Sequence, residues 1–173
     1  MLEPEGRNTA AAALVAALID RDSGEDYFHL VLPSDHVITE RDAFLDLVRQ
    51  AMVAQDRFVL FGIKPHYPET GFGYIVADKA EKKNTISAIT KFVEKPSEDA
   101  VENLIAEGAL WNSGILFYPP QLLCREADIL SPDTLSYCAE SLQNSAQDLG
   151  CTILAAAPYA QIEKQPFDKL IME

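Results

Sequence analysis

The chain is short of positive charge. Fourteen lysines and arginines face 27 aspartates and glutamates across 173 residues, giving a formal net charge of −13 at pH 7. A field of that sign repels polyanions, which excludes nucleic acid and an anionic membrane surface as partners. A small anionic ligand stays open wherever a few local cations or a metal ion outweigh the background. Cysteine is scarce as well. Cys124, Cys138 and Cys151 are odd in number and widely spaced, so they set neither a disulfide framework nor a zinc-ligand pattern, and a reducing cytoplasm suits them. The longest apolar run, AAAALVAALI, is too short and too rich in alanine to span a bilayer, and no basic segment precedes it as a signal peptide would demand. Glycine-rich runs are missing too: PETGFGYI, with Gly71 and Gly73, matches neither a dinucleotide fingerprint nor a phosphate-binding P-loop. What remains is 48% hydrophobic content, enough for a globular core, and a length that favours a single domain over 1–173.

Helical and strand patterns alternate along the chain. Asn8 or Thr9 can cap a helix to about Asp20, because their side-chain oxygens accept from first-turn amides. HLVL, closed by Pro33, reads as a buried strand. AFLDLVRQAMVAQ carries Phe44, Leu47, Val48, Ala51 and Met52 at helical spacing. RFVLFGI is a second strand, KPHYPETGFG a loop, and YIVAD and TISAITKFVEKP two further strands. Ser97 caps a helix through Ile105 that Gly108 ends, ahead of a strand at GILFY. Pro119 and Pro120 open another helix, Leu135 to Ala146 a weaker one, and CTILAAAPY reads as a last strand. The alternation predicts an α/β domain with a mostly parallel sheet.

Ligands of open α/β sheets bind beyond the carboxyl ends of the strands, which singles out VLPSDHVI, KFVEKP and LWNSGILF. Asp35 can hold a hard cation such as Mg²⁺ through oxygen, or Ser34 and Asp35 simply cap a turn after Pro33. His36 is either a base or a solvent-facing structural histidine. Glu94 and Lys95 are neighbours at a strand end, so they should point to opposite sides and not pair directly. They can serve one ligand, with Glu94 accepting from hydroxyls and Lys95 gripping a phosphate as a point charge, or form a plain exposed strand end. Asn112 offers both a donor and an acceptor, as a sugar diol requires, whereas Trp111 suits the core. Gly71 and Gly73 allow either close backbone approach to a ligand or a tight turn.

Taken in order, EPEGRNTA, VLPSDHVI, FGIKPHYPETGFGYI, FVEKP and LWNSGILF resemble the bacterial mannose-1-phosphate guanylyltransferases, the GDP-mannose pyrophosphorylases, strongly from Glu3 to about Tyr118 and faintly to Glu173. VLPSDH and FVEKP fit sugar nucleotidyltransferases generally; EPEGRNTA and LWNSG point to the guanylyl-transferring branch. The resemblance implies a Rossmann-like, GT-A-type three-layer fold with a mostly parallel mixed sheet. It also implies an N-terminally truncated domain, since family members begin with a strand and a glycine-rich loop that hold the triphosphate.

Residue by residue, the resemblance places Glu3, Asn8 and Thr9 by the guanine and ribose, with Ser34 on the nucleotide side. Asp35 becomes a Mg²⁺ ligand, Gly73, Glu94 and Asn112 contact the mannose, and Lys95 reaches the sugar phosphate. QPFDKLIME looks like a drifted form of a family run in which Asp168 is the second metal ligand, although Pro166, Phe167 and Lys169 depart from that pattern. Ala11 replaces a family proline. The implied reaction joins GTP and mannose 1-phosphate to give GDP-mannose and pyrophosphate, with Mg²⁺ as cofactor, in the cytoplasm. These 173 residues alone are expected to be inactive, and an exposed sheet edge is expected to promote homo-oligomers. The alternatives are a sugar-phosphate-binding or structural fragment, or a thymidylyl- or uridylyltransferase acting on glucose 1-phosphate.

Overall fold

The computed structural model describes residues 1–21, 27–78 and 86–172. In chain order the elements are α1 (Asn8–Arg21), β1 (His29–Val31), α2 (Arg41–Ala51), β2 (Val59–Ile63), β3 (Tyr74–Ala77), β4 (Ile89–Val93) and α3 (Glu98–Glu107). There follow β5 (Leu110–Tyr118), α4 (Pro120–Leu130), α5 (Pro132–Gln143), β6 (Ala146–Asp148), β7 (Cys151–Ile153), α6 (Ala156–Tyr159) and α7 (Phe167–Met172). They pack as two compact units, Met1–His29 with Pro119–Glu173, and Leu30–Tyr118.

The helical unit is built around α1, which touches α4, α5 and α7. Its alanines explain this: Ala10, Ala11, Ala13 and Ala17 are buried together with Leu14 and Val15, and small side chains let several helices approach one central helix closely. The apolar run read from the sequence is thus an interior helix. β6 and β7 form an antiparallel hairpin, and Leu2 bridges to Ile153 beside it in parallel. CTILAAAPY is therefore a three-residue strand and then a helical turn at Ala156–Tyr159, not one strand.

The sheet unit is organised by β5, in the strand order β1-β5-β3-β4 with β2 also paired to β5. β5 starts at Leu110 and so takes in LWNSG, extending the expected GILFY strand toward its N-terminus. The pairings β2–β5, β3–β5 and β3–β4 are all antiparallel, which corrects the expectation of a mostly parallel sheet. Parallel neighbours need a crossover of a dozen or more residues, usually helical, and no helix separates β2 from β3 or β3 from β4 among the described residues. The α/β class itself stands.

One face of this sheet packs on α3 through a core of Tyr74, Val101, Leu104, Ala109 and Trp111. The helix ends as expected at Gly108, whose φ of 87° lies in the left-handed region that glycine enters without steric cost. Ser97 stands at the N-cap position but makes no side-chain capping bond.

Candidate functional site

In the sheet unit, four of the flagged segments come together along a row of short contacts. A β-carbon built on Gly114 would lie 3.4 Å from Cγ of Pro33, so the loop after β1 runs beside the N-terminal half of β5. Ser34, Asp35 and His36 in that loop are exposed. Gly114 donates its N–H to Oδ1 of Asn112 at 3.2 Å, and Asn112 donates its own N–H to the Gly73 carbonyl at 2.7 Å. A β-carbon on Gly73 would meet Oε2 of Glu94 at 2.8 Å, Cζ of Phe92 at 3.2 Å and Cβ of Asn112 at 3.4 Å. Gly73 is therefore needed for close approach: its missing side chain is the space that the Glu94 carboxylate and Asn112 share.

Lys95 extends the row, with Nζ 3.8 Å from Oε1 of Glu94. The expectation that these neighbours point apart rested on strand alternation, and it fails because β4 has ended at Val93 and Lys95 sits at φ 44°. A left-handed conformation is costly for a side chain carrying a β-carbon, and doubly so before a proline, here the buried Pro96. The backbone twist swings the ammonium to the carboxylate's side.

The opposite side of the same strands holds this arrangement in place. The buried Tyr74 hydroxyl donates to the Glu69 carbonyl at 2.9 Å and accepts from the Trp111 indole N–H at 2.9 Å and the Glu69 amide at 3.2 Å. Glu69 in turn accepts the Gly71 amide on Oε1 at 2.9 Å. The edges of Tyr67 and Phe72 rest against Trp111 with ring centroids 5.0 and 5.3 Å away. The loop that delivers Gly73 is thus pinned to the core by one phenol and one indole. Trp111 is a core residue, 6% exposed. Sequence reasoning missed Tyr74 and Glu69; a tyrosine in a strand with a polar loop just before it was the available signal.

In the helical unit a second set of flagged residues gathers. Tyr159 donates its hydroxyl to Oε1 of Glu3. Arg7 donates through Nη2 to Oε1 of Glu5 at 2.7 Å and to the Ala160 carbonyl at 2.6 Å. Asn8, at φ 67°, accepts the Thr9 amide on Oδ1 at 2.8 Å, satisfying one first-turn donor of α1. Thr9 does not cap its own helix; its Oγ1 accepts the Phe167 amide at 2.8 Å and so caps α7 through space. Ala10 also donates to the Gln165 carbonyl at 3.4 Å. The first and last motifs of the chain therefore meet, which brings Thr9 next to the helix carrying the half-buried Asp168.

Burial, with the hydrogen bond to Glu3 adding to it, pushes the Tyr159 phenol well above its ordinary range, so the hydroxyl stays a donor. Burial likewise pushes the Cys138 thiol up to about 12, with smaller contributions from Cys124 and Glu3. Among the described residues, no group of three or more His, Cys, Asp or Glu side chains could hold a metal ion, and no helix is long and apolar enough to cross a membrane.

Residues 1–154 match the nucleotidyl transferase family, NTP_transferase. The chain belongs to that family. Among relatives of this nucleotidyl transferase chain, the xanthan biosynthesis protein XanB of Xanthomonas campestris pv. campestris is 38% identical over 176 residues, covering 100% of this chain and 37% of XanB. A mannose-1-phosphate guanylyltransferase of Sinorhizobium fredii is 39% identical over 177 residues, covering 100% of this chain and 34% of that protein. The resemblance read from the motifs is borne out by these relatives, of which the chain spans little more than a third. Of solved structures, one described as a mannose-6-phosphate isomerase from Helicobacter pylori superposes with a TM-score of 0.84 at 26% identity, over 99% of this chain and 66% of that one. Another, described as a mannose-1-phosphate geranyltransferase from Thermus thermophilus, gives 0.83 at 27% identity over 100% and 49%.

Proposed function

We propose that the chain is part of a mannose-1-phosphate guanylyltransferase acting in the cytoplasm, and that its sheet unit carries the sugar-phosphate subsite. The carrying observation is the convergence of Gly73, Glu94 and Asn112 within 3.4 Å of one built β-carbon, with the Lys95 ammonium 3.8 Å from the same carboxylate. A carboxylate and a carboxamide side by side accept from and donate to neighbouring hydroxyls, and an exposed lysine next to them supplies the charge a phosphate needs. The two compact units are read as one partial catalytic domain, since the family match runs through residues of both.

The reaction is in-line attack by a phosphate oxygen of mannose 1-phosphate on the α-phosphorus of GTP, with pyrophosphate leaving. The attacking oxygen is already anionic, so no general base is required, and catalysis consists of positioning and charge neutralisation. Glu94 and Asn112 orient the sugar, Lys95 holds its phosphate, and the Glu3–Thr9 segment carries the base and ribose. The donor chemistry fits Mg²⁺, which binds through one or two carboxylates and fills its remaining positions with water and phosphate oxygens. Asp35, exposed after β1, is such a donor in the sheet unit, and Asp168 is a candidate in the helical unit. When bound, the ion neutralises developing phosphate charge.

The test uses the 173-residue chain. Calorimetry should show mannose 1-phosphate binding better than GTP, because no glycine-rich phosphate loop lies within these residues. Pyrophosphate release from GTP and mannose 1-phosphate should be near background. Glucose 1-phosphate binding as tightly as mannose 1-phosphate would favour a thymidylyl- or uridylyltransferase instead.

A further inference from the structure

We infer that Tyr159 is a positioning residue for guanine recognition: from α6, it holds the Glu3 carboxylate in the one orientation that meets the base. The inference rests on the proposed guanylyl reading and adds to it a residue outside the segment that matches the family, which ends at residue 154.

Glu3 is exposed and by itself free to rotate, whereas Tyr159 is 0% exposed, its ring locked in the helical unit. The phenolic hydroxyl reaches from that core to Oε1 of Glu3. A buried hydroxyl must find a partner or cost the unit its desolvation energy, so the contact is maintained rather than incidental. The backbone on either side is fixed as well. Leu2 donates to the Thr152 carbonyl at 2.8 Å and accepts from Leu154 at 3.1 Å, and Arg7 grips the carbonyl of Ala160, next to Tyr159, at 2.6 Å. The segment is thus clamped at residues 2, 3 and 7, with the Glu3 clamp made by its carboxylate. Guanine presents two adjacent donors, N1–H and N2–H, which suit the two oxygens of one carboxylate. Adenine presents a donor next to an acceptor and does not suit them. Each Glu3 oxygen has two lone pairs, so the bond from Tyr159 leaves acceptor capacity for both guanine donors.

The experiment titrates the 173-residue chain and its Tyr159→Phe variant with GMP and with AMP, followed by NMR. The unaltered chain should prefer GMP. The variant, which keeps the buried ring, should bind GMP about tenfold more weakly, the scale of one hydrogen bond to a charged group, with AMP binding unchanged. GMP binding that the variant leaves intact overturns the inference alone, as does an equal loss for both nucleotides. An unaltered chain with no preference for GMP overturns the guanine reading and the inference with it. Should the variant not fold, the carboxyl carbon signal of Glu3 in the unaltered chain decides: it should move with GMP and not with AMP, and no movement with GMP overturns the inference.

Discussion

The close approach between Gly73 and Glu94 leaves no room for a methyl group, because a β-carbon on Gly73 would sit 2.8 Å from the Glu94 Oε2. The atom in the way is the end of a flexible side chain, so Gly73→Ala should displace the carboxylate and leave the strand in place. We expect about a tenfold loss of mannose 1-phosphate affinity by calorimetry, with a stability cost of only about 1 kcal/mol. A variant that binds as the unaltered chain does would show that the Glu94 carboxylate is not part of the subsite.

Lys95 separates strain from function. Its φ of 44° ahead of Pro96 carries a backbone cost of about 1–3 kcal/mol. Lys95→Gly relieves that cost while adding unfolded-state freedom, so stability should be unchanged or rise by about 1 kcal/mol. The same change removes the ammonium, and mannose 1-phosphate binding should fall below detection by calorimetry. Lower stability with retained binding would mean that the lysine serves packing rather than phosphate.

Thr9 offers a different division. Its Oγ1 accepts the amide of Phe167, the first residue of α7, so Thr9→Val should destabilise by about 1 kcal/mol, as loss of a cap does. Thr9→Ser keeps the oxygen and should restore the midpoint of urea unfolding. If serine fails to rescue, the threonine methyl and not the hydroxyl holds the two motifs together.

Much of the candidate site was legible because it lies in short motifs at strand ends, where the polar residue following an apolar run is conspicuous. Asp35, Glu94, Lys95 and Asn112 were all singled out that way, and the structure brings Glu94, Lys95 and Asn112 to one side of the sheet unit while Asp35 lies exposed in the loop after β1. What escaped was pairing and support. Sheet direction depends on which strands lack a helical crossover, and the LWNSG stretch looked like an approach to β5 because its polar residues hid the strand that begins at Leu110. The Glu94–Lys95 contact escaped because strand alternation says nothing once the backbone leaves the strand. Tyr74 and Glu69 left only the faint signal of a strand tyrosine after a polar loop, and Tyr159 acts through a hydrogen bond to Glu3, 156 positions away, which no local pattern marks.

Cys138 sets an alkaline limit on the fold. In the unfolded chain its thiol titrates at the ordinary 9.0, whereas burial, aided by Cys124 and Glu3, pushes it up to about 12 in the folded chain. Between those values the folded state binds more protons than the unfolded state, so stability is complete below about pH 9 and declines as pH rises toward 12. The raised Tyr159 phenol acts in the same direction above its ordinary 10.0. Urea midpoints should therefore fall from about pH 9 upward to pH 11, and the fall should be shallower in Cys138→Ala, whatever that variant loses in packing. An identical pH slope in both chains would mean that the thiol reaches solvent and titrates normally.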